Sequence, residues 1–158
     1  MSTRCMIFVA VAPEDNGKPI IYNPAEHTAG TGFEDKENLR KWSKKNNIIA
    51  NENYLSIYCH FDGYPEGVGA NLQSFYNDYK KAFNLMGAGA VSDIDTISTS
   101  FMDTPPTVSK EILIKDTISI EYVYLFHNGE WKFLKTGSKN SPTVYKPEDF
   151  TPLKDYLT

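Results

Sequence analysis

Cysteine and histidine are scarce in this chain, and their scarcity removes whole classes of chemistry. The 158 residues hold two cysteines, Cys5 and Cys59, and three histidines, His27, His60 and His127. No Cys-x-x-Cys or His-x-x-x-His spacing occurs, so the sequence offers no structural zinc site and no metal ligand is assigned. Both cysteines stand in apolar, strand-like runs and read as buried reduced thiols rather than as a disulfide. Blocks of positive charge are also missing beyond the short "RKWSKK" at 40–45, and the net charge is −4 with a pI near 5.4. That balance excludes a broad electrostatic grip on duplex nucleic acid, though not a small anion held by local donors. Long hydrophobic runs are absent too. The opening "MSTRCMIFVAVAPED" carries a short apolar stretch without a cleavage pattern. It reads as a strand, not as a signal peptide or a membrane span, and the expected location is the cytoplasm. There is no Walker or Rossmann pattern, no internal repeat and no low-complexity segment, and no cofactor is assigned.

What is present is an ordinary globular composition rich in aromatics. Hydrophobic residues make up 41%, charged residues 23% and aromatics 13%, with ten Tyr and nine Phe. A chain of this length predicts one domain, residues 1–158. Tyrosine has an apolar body and a polar tip, so a Tyr-rich chain can line a pocket as well as fill a core.

Along the chain, the apolar run 4–12 predicts a strand buried on both faces. Asn16-Gly17 predicts a hairpin returning through 19–23. Residues 24–53 form a polar excursion with one short helix, which Asp35 would cap and Leu39 and Trp42 would anchor. Residues 54–61 alternate, with Leu55, Ile57, Cys59 and Phe61 on one face and Tyr54, Ser56, Tyr58 and His60 on the other. A long helix is expected from Pro65 to Met86, with Val68, Leu72, Phe75, Tyr79 and Phe83 as its apolar stripe and "GAGA" at 87–90 as its stop. Strands at 111–115, 118–126 and 131–135 follow, the last two joined through Asn128-Gly129, and a short helix closes the chain after Thr151. The predicted fold class is α+β, an antiparallel sheet with one long helix packed on one face.

The stretch "YCHFDGYPEGVG", residues 58–69, concentrates the side chains that carry chemistry. In its plainest reading it is a strand-to-helix corner. Gly63 supplies a positive φ in the turn, Pro65 fixes helix entry, and Gly67 and Gly69 let the helix approach the sheet. The core side is then Ile57, Cys59, Phe61, Val68 and Leu72, and the outer side is Tyr58, His60, Asp62 and Tyr64. In its functional reading the polar strand face and the helix start make a small pocket for an anion with aromatic surroundings. Its candidate ligand-binding residues are Arg4, Tyr58, His60, Asp62, Gly63, Tyr64, Gly67 and Gly69. Arg4 joins them if the first strand pairs beside the second. A carboxylate two residues from an imidazole can orient it, so a hydrolase with His60 as general base and Asp62 as orienter is an alternative. Ser56 shares the face but stands too far along the strand to contact His60, and no catalytic residue is assigned.

The blocks "MSTR", "SIYCHFDGYPEGVGANL", "EYVYLFHNGEWKF" and "FTPLKDYL" come in an order that resembles a family of small bacteriophage and prophage proteins. Members typically begin Met-Ser/Gly-Thr-Arg and carry Ile-Tyr-Cys-His-Trp/Phe-Asp-Gly-Tyr-Pro. The blocks span nearly the whole chain. This sequence departs from the pattern in the 24–53 excursion, where the family commonly has a short hairpin. The resemblance implies a phage accessory protein of the host cytoplasm, in the manner of counter-defence factors. Joined to the pocket, it predicts sequestration of a small nucleotide-like ligand without chemistry. A third reading is a protein-interaction module that docks on a host defence protein through the Tyr-rich face or the excursion, and self-association is left open.

Overall fold

The computed structural model describes residues 3–11, 53–86, 107–114, 120–136 and 142–157. The 14–23 hairpin, the helix near Leu39 and Trp42 and the glycine stop at 87–90 lie outside them. So does all of the 24–53 excursion except Asn53.

The apolar first run forms β1 (Arg4–Ala10) and the alternating run forms β2 (Tyr54–Cys59). They pair antiparallel, with Cys5 opposite Cys59 and Ile7 opposite Ile57. Downstream come β3 (Thr107–Ser109), β4 (Ile112–Ile114), β5 (Ile120–His127), β6 (Glu130–Lys135), β7 (Thr143–Tyr145) and β8 (Thr151–Pro152). A six-stranded sheet runs β3-β2-β1-β5-β6-β8, and β4 pairs with β7 in a separate two-stranded ribbon. The sheet is mixed, not wholly antiparallel as expected, because β1 and β5 run parallel at its centre. A parallel pair needs a long crossover, and everything from β2 to β4 lies between them. Their central position explains why both strands are apolar with little alternation.

The turn between β5 and β6 follows its sequence signal. Asn128 at φ 53° and Gly129 at φ 82° supply the two positive values that a tight hairpin of this hand requires.

The long helix expected over 65–86 is three pieces. A single π turn (Pro65–Gly69) leads into α1 (Ala70–Phe75), and α2 (Tyr79–Met86) follows after a break. Tyr76 leaves the helical region at φ −130°, ψ 39°. Its ring turns into the core, and its carbonyl accepts the indole N–H of buried Trp131 at 2.7 Å. Asp78 then accepts the backbone N–H of Lys81 at 2.8 Å and so caps the next helix. The predicted stripe shifts accordingly: Phe75 is 66% exposed, and Tyr76 is buried in its place.

Both faces of the sheet are covered. Ile7, Ile57, Cys59, Val68, Leu72, Tyr124, Phe126 and Trp131 form the helix-side core with the α segments. Phe8, Val123, Leu125 and Phe150 meet Ile112 and Ile114 of the ribbon on the other side. The face carrying Tyr54, Ser56 and Tyr58 is therefore no open polar surface. Ser56 is buried, and Tyr54 and Tyr58 pack at the edge of the second core. The final short helix, α3 (Leu153–Leu157), docks through buried Leu153.

Candidate functional site

The corner is built by a strand that stops early. β2 ends at Cys59, so the alternation of faces ends there as well. Phe61, expected in the core, is 44% exposed, because the chain has already turned at His60. Asp62 takes the positive φ of the turn at 57°, not Gly63. Asp and Asn tolerate this region best among residues with a side chain.

Gly63 is small because the chain folds tightly onto β1. Its N–H bonds to the Thr3 carbonyl at 2.9 Å, and a Cβ there would stand 2.8 Å from that same oxygen. Its carbonyl accepts the Tyr124 hydroxyl at 2.6 Å. A Cβ on Gly67 would collide with the Asp62 carbonyl, and one on Gly69 would press on Leu153 and Tyr124. Each of these glycines thus has a packing reason at its position.

The helix start offers less to an anion than the sequence suggests. The N–H groups of Gly67 and Val68 bond to the carbonyls of Tyr64 and Asp62. The Glu66 carboxylate occupies the first turn and accepts the Tyr156 hydroxyl at 2.8 Å.

The opposite side of the corner brings different groups together. β1 does pair beside β2, which meets the condition set for Arg4. Between Arg4 and Cys5 the register with β5 slips: Arg4 faces Ile120, Cys5 faces Tyr122, and Glu121 has no partner on β1. An extra residue of this kind re-aims neighbouring side chains. Arg4 and Tyr58 lie close enough to feel each other's charge. Burial pushes the Tyr58 phenol pKa up, and the Arg4 guanidinium opposes that shift. The Tyr58 hydroxyl lies 2.7 Å from Nδ1 of His60, and the His60 ring stands edge-on to Phe61 with centroids 4.6 Å apart. Nε of Arg4 is buried and has no acceptor among the described residues. Tyr64, 39% exposed, donates a long hydrogen bond of 3.4 Å to Asp62 at the rim.

The structure therefore joins Arg4, Tyr58 and His60 into one cluster and Asp62 with Tyr64 into another. Gly63, Gly67 and Gly69 form the packed hinge of the corner. Tyr124, outside the candidate set, enters the corner through its hydroxyl. A tyrosine amid the apolar residues of a central strand was the available signal, since its buried hydroxyl needs a partner. Among the described residues no group of three or more His, Cys, Asp or Glu is placed to hold a metal ion, and no helix is long and apolar enough to cross a membrane. Comparison of the chain with protein-family models, curated proteins and solved structures finds no match.

Proposed function

We propose that this protein binds a small anionic, nucleotide-like ligand at the Arg4–Tyr58–His60 corner and holds it without chemistry. The observation that carries the reading is the buried Nε of Arg4 without an acceptor. A guanidinium keeps its charge and has only donors, and leaving one of them buried and unpaired is costly. A phosphate or carboxylate oxygen is the acceptor that suits it, through a charge-assisted hydrogen bond. The rings of His60 and exposed Phe61 supply flat surfaces on which a base can stack. In this reading the protein acts as a phage-type counter-defence factor, removing a nucleotide signal by sequestration.

The hydrolytic alternative has less support. Nδ1 of His60 is engaged by a phenol, and Asp62 lies past the end of the strand with the Tyr64 hydroxyl on its carboxylate.

A thermal-shift screen against cyclic dinucleotides, cyclic oligonucleotides and ADP-ribose tests the proposal. At least one should raise the melting temperature and be recovered intact after the complex is denatured. No shift at saturating concentration from any of them defeats the reading. Recovery of a cleaved product replaces sequestration with catalysis. For a ligand that binds, Arg4→Met should weaken affinity by about tenfold or more, and Arg4→Lys should restore only part of it.

A further inference from the structure

Cys5 and Cys59 are the only cysteines of the chain, and the fold places them face to face. They are directly opposed in the antiparallel β1–β2 pair, and both side chains enter the helix-side core, fully buried. The Val11 N–H bonds to the Asn53 carbonyl at 3.0 Å, continuing the same ladder. An even number of steps along that ladder leads back to Cys5 and Cys59, so they form a hydrogen-bonded pair. The Cα atoms of such a pair stand about 5.5 Å apart, inside the usual Cα span of a disulfide, while its Cβ atoms, also about 5.5 Å apart, must draw together by about 1 Å for the bond to close. Burial first, and the neighbouring Cys59 sulfur second, raise the Cys5 thiol pKa. The Cys59 thiol, at the last residue of β2, donates to the Phe61 carbonyl at 3.5 Å.

From this geometry we infer that Cys5 and Cys59 are a redox modification site, a dithiol that closes reversibly to a disulfide inside the folded sheet when a peroxide reaches it. The site goes beyond the ligand reading and does not depend on it. The step balances with one peroxide per pair. The Cys59 sulfur attacks a peroxide oxygen and breaks the O–O bond, giving a sulfenic acid and one water. The Cys5 sulfur then displaces the hydroxyl from that sulfenic sulfur, and its thiol proton leaves with it as a second water. The sulfurs lose two electrons and the peroxide gains them. Both sulfurs are fully buried, so the peroxide reaches them through a local opening, and Cys59 reacts first because it is the last residue of β2, where the strand frays first. Burial pushes the Cys5 thiol pKa well up, which keeps it protonated and slow toward oxidants until Cys59 presents an electrophilic sulfur beside it. Closing the bond removes the thiol donor from the Phe61 carbonyl.

The test treats the reduced, folded full chain with hydrogen peroxide and follows it by intact mass, peptide mapping and circular dichroism. The expected product is a monomer lighter by two hydrogens, with a Cys5–Cys59 linked peptide, an unchanged sheet spectrum and full reversal by dithiothreitol. Cys5→Ala removes the resolving sulfur, so Cys59 should then advance to sulfinic acid. If that variant loses its sheet spectrum, Cys5→Ser serves in its place. Three results overturn the assignment. They are a linkage that forms only in urea, an intermolecular dimer as the sole disulfide product, and a wild-type chain in which Cys59 over-oxidises or stays free at peroxide levels that link the pair in urea.

Discussion

Single residues set the shape of the corner and of the hairpin at the far end of β5, and three of them have effects that can be measured. Tyr124 is fully buried, and its hydroxyl donates to Gly63 at 2.6 Å. Burial pushes its pKa up, so it remains a donor throughout the biological range. Tyr124→Phe should cost about 1–3 kcal/mol in a urea melt, because the Gly63 carbonyl loses its partner in a dry place. Gly63→Ala should cost about 1–3 kcal/mol as well, for a different reason, since the new Cβ meets backbone that cannot yield. His127 makes its contribution through pH. Its imidazole is held below its ordinary pKa by burial first and by Lys132 second, with Glu130 opposing, and its Nδ1 has no partner among the described residues. The unfolded chain therefore binds this proton more readily than the folded one. Stability should be full above the unfolded pKa of about 6.5 and fall as pH drops through it toward the lower folded value. His127→Gln should flatten that part of a stability-versus-pH curve, and an unchanged slope would mean that another group carries it.

Elements were legible where local signals and packing agree. The hairpin at Asn128-Gly129, β1, β2 and the last short helix follow their sequence patterns. The helix over 65–86 does not, because its interruption is decided by distant contacts. Phe75 and Tyr76 fit an apolar stripe about equally well, and Tyr76 is the one that turns inward, where its backbone carbonyl takes the Trp131 indole N–H. Asp78, which caps α2, lies inside the run that the apolar stripe assigns to a single helix. Asp78→Ala should therefore destabilise α2 by about 1 kcal/mol, visible as a lower urea midpoint with an unchanged slope. The corner was half legible for a similar reason. Period alone places Cys59 inward, where it is, but period cannot show that β2 stops there. Period thus points Phe61 inward, and composition points the turn's positive φ to Gly63, whereas Phe61 is exposed and Asp62 takes that φ.

At the scale of the whole molecule, the parallel pairing of β1 with β5 matters most for the proposed site. It puts Arg4 at the end of a central strand, beside a slip in register and next to Tyr58. No local pattern announces a parallel neighbour more than a hundred residues away. The second core was hidden for the same reason, since Ile112 and Ile114 read as one more sheet strand and not as a cover for Tyr58. In the proposed reading, the two-sided burial leaves the strand end as the place where a polar ligand would meet these side chains. The central claim is that Arg4 Nε is the anchor for an anion. The direct measurement is a ¹H–¹⁵N spectrum of the Arg4 Nε–H during titration with the nucleotide that gives the largest thermal shift. The account predicts that this resonance moves downfield and becomes protected from solvent exchange in step with binding. A nucleotide that binds while the Arg4 Nε–H stays unmoved would contradict it.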